Sequence, residues 1–401
     1  MARAKIHVGL EIGTSKVCVL VGEVKVDGSI KILGLGTSKS VGVRKGEISD
    51  FVDIKACIRD ALVKAEDTSD VEIGSVYLSI SGGHVYGVNN TGTYRLPDNE
   101  KQIRREHLDE AIEIAKNVDI SPEHEYLHHI LRSYRVDGFE HTSSPVGLFG
   151  KTLEVDFHVI SGIRTRMQNC IKCVREMHLD IDDIAFAPIA TAQFAIDKNA
   201  RERGALLIDI GGGTTDYALY LAGSLVASGC IPVGGEHITN DIHLITGLSF
   251  SKAEAIKIKE GDVSGEQSRS VGVIKIMDEK GFSQQEIKRE TLNEVIRQRL
   301  LETLHLVYKR LPPGSIELIG TGVFLSGGTS SMRGLSELTH QIFGRDIYRA
   351  QAAEISGVQA NFKDPQFATA IGLIRYAQLA DIEKQNKPSG FFRRIWPFGK
   401  K

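Results

Sequence analysis

The 401-residue chain has no apolar run approaching the ~20 consecutive residues that span a bilayer. Its first residues pass straight into an alternating strand pattern (Ile6, Val8, Leu10, Ile12) without a signal-peptide core, so no export signal is expected. Basic charge is not in excess: 49 Lys and Arg stand against 51 Asp and Glu, a net −2, and dense Lys/Arg runs occur only at the carboxyl end. That balance argues against nucleic acid as a partner. Cysteine is sparse and odd in number, with five residues (Cys18, Cys57, Cys170, Cys173, Cys230), which suits reduced thiols in a cytoplasm rather than a disulfide framework. Cys170-x-x-Cys173 has no second such pair and no nearby His pair to complete a zinc site, so it reads as helix packing. Only 10 prolines accompany 41 glycines in a composition that is 41% hydrophobic and 25% charged, which describes two or three globular domains rich in tight turns.

Strands and helices alternate along most of the chain, an α/β pattern. Strands are expected at 5–12, 17–24 and 30–38, a helix at 53–66 and a strand at 76–81. From about 83 to 159 the rhythm changes, with a charged helix at 106–117 and a strand at 130–136, as in an inserted subdomain. The alternation resumes with a strand at 153–161, a helix at 164–177, a strand at 181–186 and a short helix from Pro188. A second half opens with a buried-looking strand at 205–210 and a hairpin at 217–232. It continues with helices at 237–246, 251–260 and 285–311, returns through 323–326 and a helix from about 331, and ends in a helix at 365–379. Leu10-Glu11-Ile12-Gly13-Thr14-Ser15 and Ile208-Asp209-Ile210-Gly211-Gly212-Gly213-Thr214-Thr215 share one order: apolar, acidic, Ile, Gly, hydroxyls. The chain therefore reads as two related halves facing each other.

Phosphate oxygens need backbone N–H donors at close range, and a glycine turn exposes them because no Cβ obstructs the approach. Gly13, Thr14, Ser15 and Lys16 form one such turn, and Gly211, Gly212, Gly213, Thr214 and Thr215 form another. Each follows a strand carrying a carboxylate, Glu11 or Asp209, and this opposed pair suits Mg²⁺ held through water. Lys16 would neutralise phosphate charge. A third strand-to-glycine turn, at Gly327 and Gly328, could line a nucleoside. Any one of these is more often a structural turn than a binding site; three in this order, two with matching acids, reverse that balance.

Here the sequence becomes specific. GLEIGTSK, LLIDIGGGTTDYALY and FLSGGTSSMRGL resemble the phosphate-one, phosphate-two and adenosine motifs of the actin, sugar-kinase and heat-shock-chaperone superfamily. HVYGVNNTGTYRLPDNEKQIRREHLDEA, PEHEYLHHILRSYRVDG and SSPVGLFGKTLEV resemble the 1C subdomain that marks the FtsA family of bacterial cell-division proteins, and GCIPVGGEHITNDI and DPQFATAIGLIRYA match that family too. The resemblance implies an actin-like fold of two duplicated α/β halves around a nucleotide cleft. It divides the chain into 1A (1–82 and 160–200), 1C (83–159), 2A (201–233 and 312–380), 2B (234–311), a linker (381–389) and a tail (390–401). It implies ATP and Mg²⁺ as cofactors, with Glu254 and Lys257 as adenine and ribose contacts, although those two alone would read as a solvated helix face. It also implies self-association into filaments, the carboxyl-terminal peptide of FtsZ bound through 2B with Arg297 and Arg299 as candidate contacts, and later division proteins bound through 1C. Ala187 stands before Pro188 where many superfamily members carry a water-positioning glutamate, so at most slow ATP turnover is expected. His124, His128 and His129 lack metal-ligand spacing and read as surface or interface residues. Two alternatives remain at this point: an FtsA-related cytoplasmic adaptor of a pilus or secretion machine, and a soluble sugar-kinase-type phosphotransferase.

The tail carries its own signal. At ~100° per residue, Phe391, Phe392, Ile395, Trp396 and Phe398 share one side of a short helix while Arg393, Arg394, Lys400 and Lys401 take the other, the pattern of an interfacial membrane segment. Pro397 removes one helical hydrogen bond and would bend or end it. Each basic residue near anionic lipid contributes ~1 kcal/mol, so a single tail is a reversible anchor and a row of tails on a filament a firm one. The expected place is the cytoplasmic face of the cell membrane, at the division site.

Overall fold

Each half is built on a hairpin closed by the same turn. In the first, Lys5–Ile12 pairs antiparallel with Lys16–Val24, and the Gly13 amide donates to the Lys16 carbonyl at 3.0 Å. In the second, Ala205–Ile210 pairs with Thr215–Leu221, and the Gly211 amide donates to the Thr214 carbonyl at 2.9 Å. The computed structural model from which these elements are read describes residues 5–25, 28–141, 144–265, 272–277, 284–350, 355–357 and 364–385.

The sheets repeat the duplication. The first runs Asp180–Phe186, Ser75–Ile80, Lys5–Ile12, Lys16–Val24, Ile30–Lys39, with Ile355–Gly357 at its far edge. The second begins Ile347–Arg349, Gly322–Ser326, Ala205–Ile210, Thr215–Leu221, Ser224–Ile231. In both, two parallel pairings are followed by two antiparallel ones. Every residue of Ala205–Ile210 is buried, as expected of a strand covered on both faces.

The inserted segment extends the second sheet through a single pair, Gly229 with Tyr86, adding Val85–Arg95, Thr152–Ile163, His124–Val136 and Phe139–His141. It has its own core: helix Arg105–Lys116 buries Leu108, Ala111, Ile112 and Ala115 against Leu153, Val155, Phe157 and Val159, which alternate along one strand face. On the first half, helix Phe51–Ser69 is N-capped by the Asp50 carboxylate, which accepts from the Val52 and Asp53 amides at 2.8 and 3.0 Å, a cap worth about 1 kcal/mol. It lies on Ile30–Lys39 where Gly36 lets it approach; a Cβ there would sit 1.8 Å from the Ala61 carbonyl oxygen. The helix-rich part of the second half packs Gly235–Thr246, Phe250–Glu260 and Arg289–Arg310 through Ile238, Ile242, Ile256, Ile296 and Leu300.

Two stretches differ from the sequence reading. The helix expected from 285 begins at Arg289, because Gln284–Lys288 is a strand paired with Val273–Met277 and buries Ile287 opposite Ile274. The polar stretch from 381 is helical as far as Gln385: helix Ala368–Gln385 continues because the Asp381 carboxylate accepts Lys5 Nζ at 2.7 Å and lies 3.2 Å from His7 Nε2. This helix packs on helix Ala187–Ala195 and on the first hairpin, where Gly9 and Gly22 receive Leu373 and Ile374. The chain's last described helix thus covers the first half's sheet.

Candidate functional site

The two hairpin turns meet face to face. A Cβ on Gly213 would lie 2.3 Å from Thr14 Oγ1, and one on Gly212 would lie 2.9 Å from Ser15 Cβ, so only glycine permits this approach. The third turn closes from the side. Gly327 has φ +80, a region L side chains rarely adopt, and its Cβ would fall 2.4 Å from Asp209 Oδ1. Gly328 faces open space, with Gln366 Cβ the nearest atom at 3.9 Å. Thr329 Oγ1 lies 3.4 Å from the Gly211 carbonyl oxygen, joining the third turn to the second.

The charges around these turns do not balance. Lys16 Nζ lies 3.6 Å from Glu11 Oε2 and donates to the Gln366 carbonyl at 2.5 Å, above the Phe367 ring. Burial alone would lower the Lys16 pKa, yet Glu11, Cys18 and Asp209 raise it overall. Asp209 is raised to about 7, first by burial and then by Asp216 and Glu11, against the opposing Thr191 hydrogen bond and Lys16. Burial likewise raises Asp216 to about 6, against hydrogen bonds from Ser81, Cys230 and Thr214. Glu11 and Asp209 share the Lys16 ammonium, Asp216 adds a further carboxylate beside Asp209, and Glu11 Oε2 is buried with no hydrogen-bond partner. Such a set fits a cation. Among the described residues no three His, Cys, Asp or Glu side chains group as direct metal ligands, so a Mg²⁺ ion here would draw most of its shell from water and phosphate, as that ion prefers.

The strand Ser224–Ile231 leads to Gly234 and Gly235, which the sequence reading left out of the site. The Gly235 and Glu236 amides donate to the Gly211 and Gly212 carbonyls at 2.9 and 2.8 Å. A Cβ on Gly235 would meet Thr329 Oγ1 at 2.7 Å and Lys257 Nζ at 3.4 Å. Lys257 Nζ is buried there, donating to the Gly235 carbonyl at 3.0 Å and Thr239 Oγ1 at 2.9 Å and pairing with Glu254 Oε2 at 2.7 Å. The structure therefore brings Gly13 to Lys16, Gly211 to Thr215, Gly327, Gly328, Glu254, Lys257, Glu11 and Asp209 into one cleft. Ala187 opens helix Ala187–Ala195 and presents no side chain able to hold a water.

The partner candidates separate. Arg299 forks onto Asp241 at 2.6 and 3.0 Å and reaches Glu302 at 2.5 Å. It lines a groove of about 570 Å³ with Asp241, Leu244, Ile245, Glu294, Val295 and Gln298. Leu244 and Ile245 are 69% and 58% exposed, unusual for such side chains. Arg297, two positions away on a 3.6-residue helix, is not part of that lining. Of His124, His128 and His129, His128 is an interface residue, its Nε2 accepting the Phe186 amide at 2.9 Å. All five cysteines are free and buried. Phe391, Phe392, Arg393, Arg394, Ile395, Trp396, Phe398, Lys400 and Lys401 lie outside the described residues. No helix among the described residues is long and apolar enough to cross a membrane.

Duplicated hairpin halves around a cleft lined by three glycine turns define a protein of the actin-like class. Solved structures agree on the fold: the PilM-PilN type IV pilus biogenesis complex matches at a TM-score of 0.67 with 17% identity, covering 92% of this chain and 97% of that one. MreB5 of Spiroplasma citri bound to ADP matches at 0.59 with 16% identity, over 96% and 99%. The family model for cell division protein FtsA matches residues 206–372, and that for the SHS2 domain inserted in FTSA matches 82–161. Cell division protein FtsA of Escherichia coli (strain K12) is 33% identical over 95% of this chain and 94% of its own length, and that of Buchnera aphidicola subsp. Acyrthosiphon pisum is 34% identical over 98% and 96%. The chain belongs to the FtsA family of cell-division proteins. The pilus-adaptor and sugar-kinase alternatives are not favoured, since the pilus protein shares fold at 17% identity and the FtsA proteins share sequence along nearly the whole chain.

Proposed function

We propose that this protein binds ATP with Mg²⁺ in the cleft, assembles into filaments, and tethers FtsZ filaments to the cytoplasmic face of the membrane at the division site. The observation that carries the nucleotide reading is the contact of Gly213 with Thr14, which sets two amide-bearing turns against each other over a surplus of carboxylates. Mg²⁺, held through water by Glu11 and Asp209, would neutralise phosphate charge. Lys16 would place its ammonium beside the same phosphates, and the backbone amides of both turns would orient them. Lys257 and Glu254, at the mouth of the helix pair, would take the nucleoside end beside Gly327 and Gly328. With Ala187 unable to orient a nucleophile, turnover is slow and the nucleotide acts through cleft closure.

The membrane segment is the tail, on the sequence pattern of its apolar and basic faces. Trp396 is the chain's single tryptophan and reports on it directly. Titration with anionic liposomes is expected to shift its emission to the blue, with co-sedimentation lost in a chain ending at Lys387; an unshifted spectrum and no sedimentation would remove the tether from the proposal.

For FtsZ, the groove around Leu244, Ile245 and Arg299 suits a short amphipathic peptide with an acidic group. Arg299→Ala frees Asp241 and Glu302, turning the groove's rim more acidic. We expect peptide affinity to fall at least ~10-fold, the loss typical of an arginine hot spot, while Arg297→Ala stays within about twofold, as rim charges do. Fluorescence anisotropy of a labelled FtsZ carboxyl-terminal peptide measures both, and equal losses would move the peptide off this groove. Later division proteins are assigned to the insert.

A further inference from the structure

The inserted subdomain leaves the first half after Ser75–Ile80, through Ser81, Gly82 and Gly83, and returns along Thr152–Ile163 into helix Arg164–Arg175. The exit touches the cleft directly, and the return reaches it through a hairpin. At the exit, Ser81 Oγ lies 2.7 and 2.9 Å from the two carboxylate oxygens of Asp216 and 3.4 Å from Cys230 Sγ. Asp216 is buried in the strand that follows the second phosphate turn, and Thr214 of that turn reaches the same carboxylate at 3.5 Å. Gly82 has φ +139 and so can take a backbone course closed to other residues.

The second link is a short hairpin, Val43–Arg44 with Glu47–Ile48, which turns at Lys45 and Gly46 with φ of +53 and +78. Two successive positive φ values are the signature of a tight primed turn. Its tip sits between the two phosphate turns. The Gly46 amide donates to Thr14 Oγ1 at 3.0 Å, and a Cβ on Gly46 would lie 3.1 Å from Thr214 Cγ2 and 3.2 Å from Gly82 Cα. The Glu47 carboxylate pairs with the Arg166 guanidinium, on the helix into which the insert returns. One small element thus touches the first phosphate turn, the second, and both roots of the insert. A change in the gap between Thr14 and Thr214 must move Gly46, and with it Glu47 and Arg166. Packed polar contacts of this kind exchange between discrete arrangements rather than deforming smoothly.

We infer that the 43–48 hairpin and the Ser81–Asp216 bond are positioning elements that set the orientation of the inserted subdomain according to the state of the cleft. This rests on the nucleotide reading above. Coupling of this kind is reciprocal, so whatever binds the insert also alters nucleotide affinity.

Spin labels test it in the full chain. Glu110→Cys, exposed on the insert helix, and Val63→Cys, 50% exposed on helix Phe51–Ser69, take the labels, while the native thiols are buried. Electron paramagnetic resonance distances are recorded with and without Mg²⁺ and a non-hydrolysable ATP analogue, and calorimetry on the same samples reports binding. Nucleotide is expected to shift the distance by more than about 2 Å, the scale of a genuine rearrangement. Ser81→Ala and Arg166→Ala should each bind nucleotide yet lose most of that shift, and Arg166→Lys should recover part of it. Arg166 lies at the surface, so its removal keeps the test open if Ser81→Ala proves unstable. Binding heat without a distance change in the parent, or an undiminished shift in both variants, overturns the coupling. Absence of binding heat in the parent overturns the nucleotide reading instead, and the coupling with it.

Discussion

Asp209→Asn is expected to stabilise the nucleotide-free protein at pH 8 while weakening its Mg²⁺-dependent nucleotide affinity more than about 100-fold, beyond the loss usual for a residue that only supports a metal ligand. The sign follows from where the proton sits. Burial, then Asp216 and Glu11, raise the folded Asp209 to about 7 from an ordinary value of 3.8. Between those values the folded state holds a proton that the unfolded chain has released, so stability falls as pH rises from about 4 to about 7 and levels off above. The neutral amide removes that penalty, on the order of a few kcal/mol. It also keeps the acceptor for the Thr191 and Thr369 hydroxyls, which lie 3.1 and 3.3 Å from Asp209 Oδ2. Thermal melts at pH 8 and pH 4 check this: the variant's advantage should be clear at pH 8 and nearly gone at pH 4, close to the ordinary carboxylate value. A variant less stable than its parent at both pH values would mean that the carboxylate is held for structure rather than for a cation. Retained Mg²⁺-dependent affinity would exclude Asp209 from the metal side.

Why part of this site was legible in the sequence and part was not comes down to distance along the chain. Gly13 and Gly211 each close a turn with a residue three positions on, so local chemistry writes the turn, and the matching acids Glu11 and Asp209 write the duplication. Gly235 is different: its role depends on Gly211, Thr329 and Lys257 arriving from three separate elements, and its own sequence signals only a helix start. The 43–48 hairpin was missed for a related reason, since Lys-Gly lacks the usual Asn-Gly or Asp-Gly turn signal. Gln284–Lys288 carries good helix formers, and only the pairing of Ile287 with Ile274 makes it a strand. The covering of the first sheet by Ala368–Gln385 is a long-range packing choice, made possible by glycines at positions 9 and 22 whose purpose no local pattern reveals.

Gly213→Ala should weaken nucleotide binding where Gly211→Ala should not, although the two glycines stand in the same turn. Neither has a positive φ, so backbone strain does not distinguish them. Space does. The added methyl at 211 would meet the Thr214 carbonyl oxygen at 3.4 Å, ordinary contact, while that at 213 would fall 2.3 Å from Thr14 Oγ1 and 2.8 Å from Thr14 Cγ2. Thr14 cannot retreat freely, because its hydroxyl accepts the Gly46 amide at 3.0 Å and its side chain is buried. The overlap must therefore part the two turns. Overpacking of this kind costs ~1–3 kcal/mol, which read as affinity is roughly tenfold to 150-fold. Calorimetric titration with Mg²⁺-nucleotide measures both variants, and a urea melt separates lost binding from lost folding. Because the first half's core takes in Ala205, Leu207, Ala218 and Tyr220 of the second, Gly213→Ala should lower the urea midpoint modestly while the variant stays fully folded without urea, where its affinity is compared. Equal affinity in the two variants would mean that the phosphates are not held between the turns, and that the contact of Gly213 with Thr14 serves only to pack the halves together.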